Sequence, residues 1–127
     1  MAAPNPQDIA NQFVDFYYNT FDNNRAGLAA LYRDSSMLSF ESSQFQGAQN
    51  ISEKLQSLPF QRVVHKVDTK DVQPSSQQGG IIVLVTGALQ FDDSPQPMSF
   101  AQTFQLLPEG GNWFVQNDIF KLIYPAS

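Results

Sequence analysis

The 127-residue sequence contains no cysteine, a single histidine and few charged residues. Without cysteine no disulfide, thiolate zinc site or thiol nucleophile can form, and such chains suit a reducing compartment. One histidine excludes a paired-histidine metal site. Charged residues make up 15% of the chain, below the roughly 25% of an average domain. Much of the polar surface must therefore consist of Gln, Ser and Asn.

Basic residues are also scarce, since seven Lys and Arg face twelve Asp and Glu and the net charge is -5. This balance offers no electrostatic footprint for a phosphate backbone or an anionic membrane. We therefore expect neither nucleic acid nor a membrane as a partner. A basic patch on another protein is a better match.

Long apolar runs and cofactor motifs are absent as well. The longest aliphatic run, residues 81–85, is too short to span a bilayer. Residues 1–8 contain no basic residue and no apolar run, so no signal peptide is visible. No phosphate loop or dinucleotide fingerprint is present. The sequence predicts one intracellular domain over residues 1–127 with no cofactor and no metal.

Hydrophobic residues at 42%, with 11 Phe, predict a packed core. Asn5, Pro6 and Asp8 read as the start of a helix. Its apolar residues fall within an arc of about 140°, and its polar residues, Asp22 among them, fall on the opposite side. The apolar set is Ile9, Ala10, Phe13, Val14, Tyr17 and Phe21. Shorter helices are predicted over residues 25–32 and from Gly47 to a stop at Pro59.

The remaining segments predict β-strands at residues 37–41, 62–72, 81–91, 98–106 and 113–124. In the second of these, alternation places Val63, His65, Val67 and Thr69 on one face. Residues 81–91 are apolar at nearly every position, so both faces should be covered. The order of elements predicts an α+β fold with the helices on one sheet face. A twofold dimer through the other face would supply the second cover.

Candidate functional residues are few. His65 on an apolar face, near a carboxylate such as Asp118, could serve acid–base chemistry or be a hydrogen-bonded core residue. Phe40-Glu41 places an aromatic ring beside a carboxylate at a strand end. Asp92-Asp93 places two carboxylates in a turn. Phe120 follows Asp118 on one face of the last strand.

Several segments, in order along the chain, resemble the nuclear transport factor 2 family, and fungal or plant members in particular. The resemblance covers residues 9–124 and rests on Phe16-Tyr17-Tyr18, Phe21-Asp22, Arg25, Phe45-Gln46-Gly47, Leu58-Pro59-Phe60-Gln61, His65, Gln73-Pro74 and Asn117-Asp118-Ile119-Phe120. It implies a cone-like domain. A strongly bent, mainly antiparallel sheet would wrap a long N-terminal helix accompanied by two shorter helices, leaving an apolar cavity and a homodimer through the sheet faces.

The resemblance also implies a function, namely nuclear import of the GTPase Ran in its GDP form. The carrier would make weak contacts with phenylalanine-glycine repeat nucleoporins and work in the cytoplasm, the nucleus and the nuclear pore. The implied Ran-binding residues are Phe40, Glu41, Asp92, Asp93 and Phe120. The implied cavity lining is Leu58, Phe60, Val63, His65 and Asp118.

The sequence departs from the family pattern at three positions. Ser94 stands where many members have an acidic residue, so the acidic turn rests on Asp92 with Asp93 in support. Pro6 stands where many have a repeat-binding aromatic, and Phe40 where some have Trp. Two alternatives stay open, an acid–base enzyme of the same fold (a dehydratase or isomerase using His65 and Asp118) and a scaffold domain of the kind found in messenger RNA export adaptors.

Overall fold

The molecule begins with a long helix, and the computed structural model describes residues 5–58, 62–77, 79–92 and 96–124. Helix α1 spans Pro6–Asn23. The side-chain oxygen of Asn5 accepts a hydrogen bond from the backbone N–H of Gln7, and Pro6 lies in the first turn, which confirms the predicted start. The buried side of α1 consists of Ala10, Phe13, Val14, Tyr17, Tyr18 and Phe21.

Two shorter helices follow. A 3-10 helix spans Arg25–Leu31, within the region predicted for the second helix. Helix α2 spans Ala48–Gln56 and follows Gly47, whose φ is +91°. Pro59, the predicted stop of this helix, lies outside the described residues. Within the described ranges, no helix is long and apolar enough to cross a membrane.

Six strands form one mixed, open sheet. Their bounds are β1 Tyr32–Phe40, β2 Ser43–Gln46, β3 Val63–Pro74, β4 Ile81–Phe91, β5 Met98–Glu109 and β6 Asn112–Ile123. The order across the sheet is β2-β1-β6-β5-β4-β3, with β1 and β6 parallel and the other neighbours antiparallel. The sheet bends around α1 in a cone, which confirms the predicted α+β class.

The first hairpin differs from the prediction. Strand β1 begins at Tyr32 rather than at residue 37, and it ends at Phe40. Strand β2 was not predicted, because three of its four residues are Ser or Gln and carry no strand signal. It forms by pairing with β1, where Phe40 lies opposite Ser43.

Strand β3 contains a bulge, and this bulge places one residue on the opposite sheet face from the one predicted. Val67 pairs with Gly87, but the next paired residue is Thr69, opposite Thr86. The extra residue turns the following side chains to the other face. The prediction that Thr69 shares the inner face is therefore wrong, since Thr69 is exposed and Val72 packs against the core instead.

The two faces of the sheet differ in their cover. On the inner face α1 packs against β5, and the rings of Phe13 and Phe104 meet edge to face at 5.2 Å between centroids. On the outer face, apolar side chains of β4 and β6 are exposed: Ile82 39%, Leu84 43%, Ile119 51% and Ile123 48%. A single chain therefore covers only the inner side of β4.

Candidate functional site

A largely apolar pocket of about 220 Å³ lies between α1 and the inner face of the sheet. Its lining comes from α1, from the segment after α2 and from four strands. The lining residues are Phe21, Phe40, Leu58, Val63, His65, Leu89, Phe91, Phe120 and Leu122. The half-buried side chains of Phe40, Phe91 and Leu122 mark its rim.

Half of the ten sequence-predicted site residues line this pocket. The structure brings together Phe40, Leu58, Val63, His65 and Phe120 in its lining. Two further predicted residues, Phe60 and Asp93, lie outside the described residues, as does Ser94.

Four lining residues were not predicted. Phe21 was placed only in the apolar arc of α1, and Leu89 and Phe91 only in the run of β4. Leu122 follows Phe120 by two positions, so strand alternation places both on the same face. The alternation was a usable signal for Leu122, whereas nothing local indicates that α1 and β4 contribute to one cavity.

His65 forms part of the inner wall of the pocket. Its ring Nδ1 lies 2.6 Å from Oδ1 of Asp22, and its backbone N–H donates to Oδ2 of the same carboxylate at 3.0 Å. The ring also packs against Tyr18, Phe21 and Phe100, with centroids 4.7, 4.9 and 5.5 Å away. These contacts hold the imidazole in one orientation.

The predicted partner of His65 is therefore wrong, because the carboxylate that pairs with it is Asp22 and not Asp118. Helical spacing placed Asp22 on the polar side of α1. The contact forms because the C-terminal turn of α1 lies beside β3, where a side chain at the edge of the polar face reaches the strand.

Asp118 lies outside the pocket lining, in a buried polar network. Its Oδ2 accepts hydrogen bonds from the hydroxyls of Tyr32 at 2.7 Å and Tyr17 at 3.3 Å. Its Oδ1 accepts from Nε2 of Gln102 at 2.7 Å, and Oε1 of Gln102 accepts from the Tyr18 hydroxyl at 2.7 Å. Burial raises the pKa of Asp118 to about 6, although the three hydrogen bonds oppose the shift. His65 and Asp118 thus bind different partners and do not form a hydrogen-bonded pair.

At the rim, Phe40 and Phe120 stack face to face. Their centroids are 4.7 Å apart and the planes differ by 9°. The stack follows from the parallel pairing of β1 with β6, in which these two residues lie opposite each other. The paired rings form one wall of the opening.

Glu41 follows Phe40 in the two-residue turn between β1 and β2. Both turn residues, Glu41 and Ser42, have positive φ, at 51° and 77°, as tight two-residue hairpins require. The backbone N–H of Glu41 donates to the carbonyl of Phe120 at 3.2 Å, and its carboxylate accepts a hydrogen bond from the backbone N–H of Leu122. These bonds hold the carboxylate beside the pocket rim.

Asp92 places a second carboxylate at the rim, directly after Phe91. Its backbone N–H donates to the Arg62 carbonyl at 2.7 Å, and its Oδ1 accepts from the Arg62 backbone N–H at 3.1 Å. The turn is thereby tied to the start of β3. Among the described residues, no group of three or more His, Asp or Glu side chains could hold a metal ion.

The pocket can therefore bury an apolar group while its rim faces a cation. A cavity of roughly 150 Å³ is enough to bind benzene, so a pocket of about 220 Å³ admits one aromatic side chain. Carboxylates fixed by backbone hydrogen bonds are ready to pair with Lys or Arg without further ordering.

A second pocket lies at the other end of α1. Its volume is about 350 Å³, and its lining is Pro6, Ile9, Pro74, Ser76, Gly79, Gly80, Ile81, Pro108 and Trp113. Pro6, the position where an aromatic residue was expected from the family pattern, thus lies in an apolar pocket that contains Trp113.

Comparisons with known proteins agree with this architecture. The family model of the Nuclear transport factor 2 (NTF2) domain matches residues 9–122. Nuclear transport factor 2 of Emericella nidulans is 64% identical over 121 residues, which cover 94% of this chain and 97% of the relative. Nuclear transport factor 2 of Saccharomyces cerevisiae is 51% identical over 118 residues, 93% of this chain and 94% of the relative.

Among solved structures, nuclear transport factor 2 from Cryptosporidium parvum superposes with a TM-score of 0.89 at 45% identity. The match covers 97% of this chain and 98% of that chain.

Proposed function

The chain belongs to the nuclear transport factor 2 family, and on that premise we propose that it is an import carrier for the GTPase Ran in its GDP form. Relatives 51% and 64% identical to it are nuclear transport factors, so its role is in nuclear transport and not in catalysis.

The observation that carries the proposal is the apolar pocket with fixed carboxylates at its rim. We propose that one aromatic side chain of Ran enters the cavity between the Phe40–Phe120 stack and His65. Aromatic anchors in desolvated pockets dominate interface energies. Glu41 and Asp92 then pair with flanking Lys or Arg residues of Ran, which sets specificity and the association rate. Asp93, next to Asp92 in sequence, is proposed to assist at the rim, and Phe60 is proposed to assist in lining the cavity.

We place the inserted aromatic side chain on a switch segment of Ran, and selection of the GDP form follows from this placement. The switch segments of GTPases change conformation between the GDP and GTP states. A pocket that needs one aromatic side chain and its flanking cations in a fixed arrangement binds only the state that presents them together. The carrier would thus take up Ran-GDP and reject Ran-GTP.

We propose the second pocket as the contact for phenylalanine-glycine repeat nucleoporins. Its apolar lining includes Pro6, Ile9 and Trp113, and such a surface suits a phenylalanine side chain that binds weakly and leaves quickly. Trp113 would then supply the aromatic surface that Pro6 lacks.

We further propose that the chain works as one domain in a homodimer. The outer face of the sheet exposes Ile82, Leu84, Ile119 and Ile123, and a twofold partner would cover them with the same residues. Such a dimer presents two Ran pockets. Its action in the cytoplasm and the nucleus would include passage through the nuclear pore.

The test is retention of purified Ran by the immobilised chain. Ran loaded with GDP should be retained, and Ran loaded with a non-hydrolysable GTP analogue should pass through. Phe40→Ala should weaken retention, because it removes one wall of the pocket. Phe16→Ala removes the same phenyl group from an exposed position on α1, 54% accessible, and should retain Ran-GDP. Equal retention of both nucleotide states, or of neither, contradicts the proposal.

A further inference from the structure

The ammonium group of Lys54 lies against two phenylalanine rings beside the pocket rim. Its Nζ is 5.5 Å from the centroid of Phe40 and 5.6 Å from that of Phe45, within the range of cation–π attraction. We infer that Lys54 is a positioning residue that holds Phe40 in place for the incoming side chain of the partner. The inference rests on the proposed function of this pocket.

Among the described residues, Phe40 stacks on one aromatic ring inside the pocket and has the ammonium group of Lys54 outside it. The Phe120 ring lies parallel to it, 4.7 Å away, and so occupies one face. The ammonium group therefore lies over the other face. Phe120 stacks in turn on buried Phe100, at 5.8 Å and 21°. Lys54 thus closes the outer end of a row of three rings that reaches the core.

Three elements bring these side chains together. Helix α2 buries Ile51 and Leu55, which places Lys54, in its last turn, close to the sheet. A cation is also favoured near the C-terminus of a helix. In the β1–β2 hairpin, Leu38 lies opposite Phe45, so Phe40, two residues along from Leu38, shares the face of Phe45.

The charge of Lys54 is directed at rings and not at a carboxylate. In the described part of the chain, Lys54 makes no ion pair with an acidic residue. Its position beside Phe40, the residue before Glu41, places a positive charge at the end of the molecule where carboxylates are proposed to attract a basic partner. That charge slows the association of the partner, and its contact with Phe40 slows dissociation.

Lys54→Met separates the two effects, because methionine keeps the aliphatic stem and loses the charge. Lys54→Arg keeps the cation over the rings. The matched control is Arg62→Gln, which removes an exposed cation next to Asp92. In the described residues Arg62 forms hydrogen bonds through its backbone alone. Lys54→Gln replaces the methionine variant if that variant does not fold.

The first measurement uses the free protein. Phe40 ring resonances and ring-flip rates are recorded by NMR for each variant. Lys54→Met should shift the Phe40 resonances and speed its ring flips, whereas Lys54→Arg and Arg62→Gln should keep the wild-type values. If Lys54 acted only through its charge on the partner, the Phe40 resonances and ring-flip rates would not change in Lys54→Met.

The second measurement uses stopped-flow binding to Ran-GDP. Lys54→Met and Arg62→Gln should both associate faster, by about twofold at low salt. Only Lys54→Met should dissociate faster, by about three- to tenfold, and Lys54→Arg should restore the wild-type rate.

The outcomes separate the two proposals. If wild-type protein binds Ran-GDP and Lys54→Met changes neither Phe40 nor the dissociation rate, the role of Lys54 is refuted. If wild-type protein does not bind Ran-GDP, the proposed function is refuted, and the Phe40 spectra alone decide whether Lys54 positions the ring.

Discussion

At the scale of single residues, the pocket depends on carboxylates that are already bound within the chain. Asp22 holds both the ring and the backbone of His65, and the carboxylate of Glu41 accepts the N–H of Leu122. Each contact fixes a group at the wall or rim before a partner arrives. The ordering cost of binding is lower as a result.

Glu41 is the rim residue whose substitution should weaken Ran-GDP binding most. Loss of one member of a largely desolvated ion pair costs about 2–5 kcal/mol of binding free energy. Glu41→Lys should cost more than Glu41→Gln, because it adds like-charge repulsion. Asp92→Asn should cost less than either, since a turn carboxylate is better solvated. Titration calorimetry with Ran-GDP measures all three.

The fold control for these variants is circular dichroism with thermal unfolding. Glu41→Gln keeps an acceptor oxygen for the Leu122 N–H, whereas Glu41→Lys loses that hydrogen bond, worth about 1 kcal/mol of stability. Unchanged affinity of a folded Glu41→Lys variant would remove Glu41 from the proposed site.

Asp118 should make the free energy of unfolding fall between about pH 4 and pH 6. Burial raises its folded-state pKa from 3.8 to about 6, so in this range the folded protein keeps a proton that the unfolded chain has lost. The stabilising contribution is complete below the unfolded pKa and is lost as the pH rises through the folded pKa. The loss amounts to about 3 kcal/mol.

The measurement is urea unfolding from pH 3.5 to 7.5 at one protein concentration, for wild type and Asp118→Asn. Asparagine does not titrate, and a flipped Gln102 side chain can still satisfy it. The difference in unfolding free energy, wild type minus variant, should therefore fall with pH and level off above about pH 6. A difference that stays constant with pH would mean that Asp118 titrates normally.

At the scale of the elements, the bend of the β3–β4 pair depends on Gly87. A Cβ atom built on Gly87 would lie 2.1 Å from the carbonyl oxygen of Lys66, next to the bulge at Val67. Just beyond this point His65 pairs with Leu89, and both residues line the pocket. The same close approach thus shapes the sheet and one side of the cavity.

Gly87→Ala should destabilise the protein by at least about 2 kcal/mol, because the backbone of β3 must move away from the added methyl group. The matched control is Gly110→Ala in the β5–β6 turn. Its Cβ would meet nothing within 4 Å and its φ is +56°, so it should lose only about 1 kcal/mol through backbone strain. Denaturant unfolding compares the two, and equal losses would contradict the steric argument.

At the scale of the whole molecule, the outer sheet face should hold two chains together. Leu84, Thr103 and Ile119 lie in one row across β4, β5 and β6, and exposed apolar residues of this kind mark an association surface. Sedimentation at micromolar concentration should give about twice the 14.2 kDa chain mass. Leu84→Glu should give monomers, because a carboxylate would be buried without a partner.

Phe16→Glu is the control, since it places a carboxylate on an exposed aromatic position of α1, on the other side of the sheet. This variant should remain dimeric. A wild-type chain that sediments as a folded monomer at micromolar concentration would refute the dimer.

Elements whose signal is local could be predicted from the spacing of residues along the chain. The apolar arc of α1 and its Asn5-Pro6 start depend on spacing within one segment, and both are confirmed. The side-chain period of a helix or strand follows from backbone geometry alone. Strand β2 was not predicted, because its residues form a strand only when β1 lies beside them.

Which side chains meet depends on how segments distant in sequence pack against one another. His65 pairs with Asp22 and not Asp118 because α1 lies along β3, and a bulge near residue 67 reversed the predicted face of Thr69. Phe40 lies opposite Phe120 because β1 pairs in parallel with β6. Such pairings join segments far apart in sequence, and their register depends on packing and backbone irregularities that no local spacing encodes.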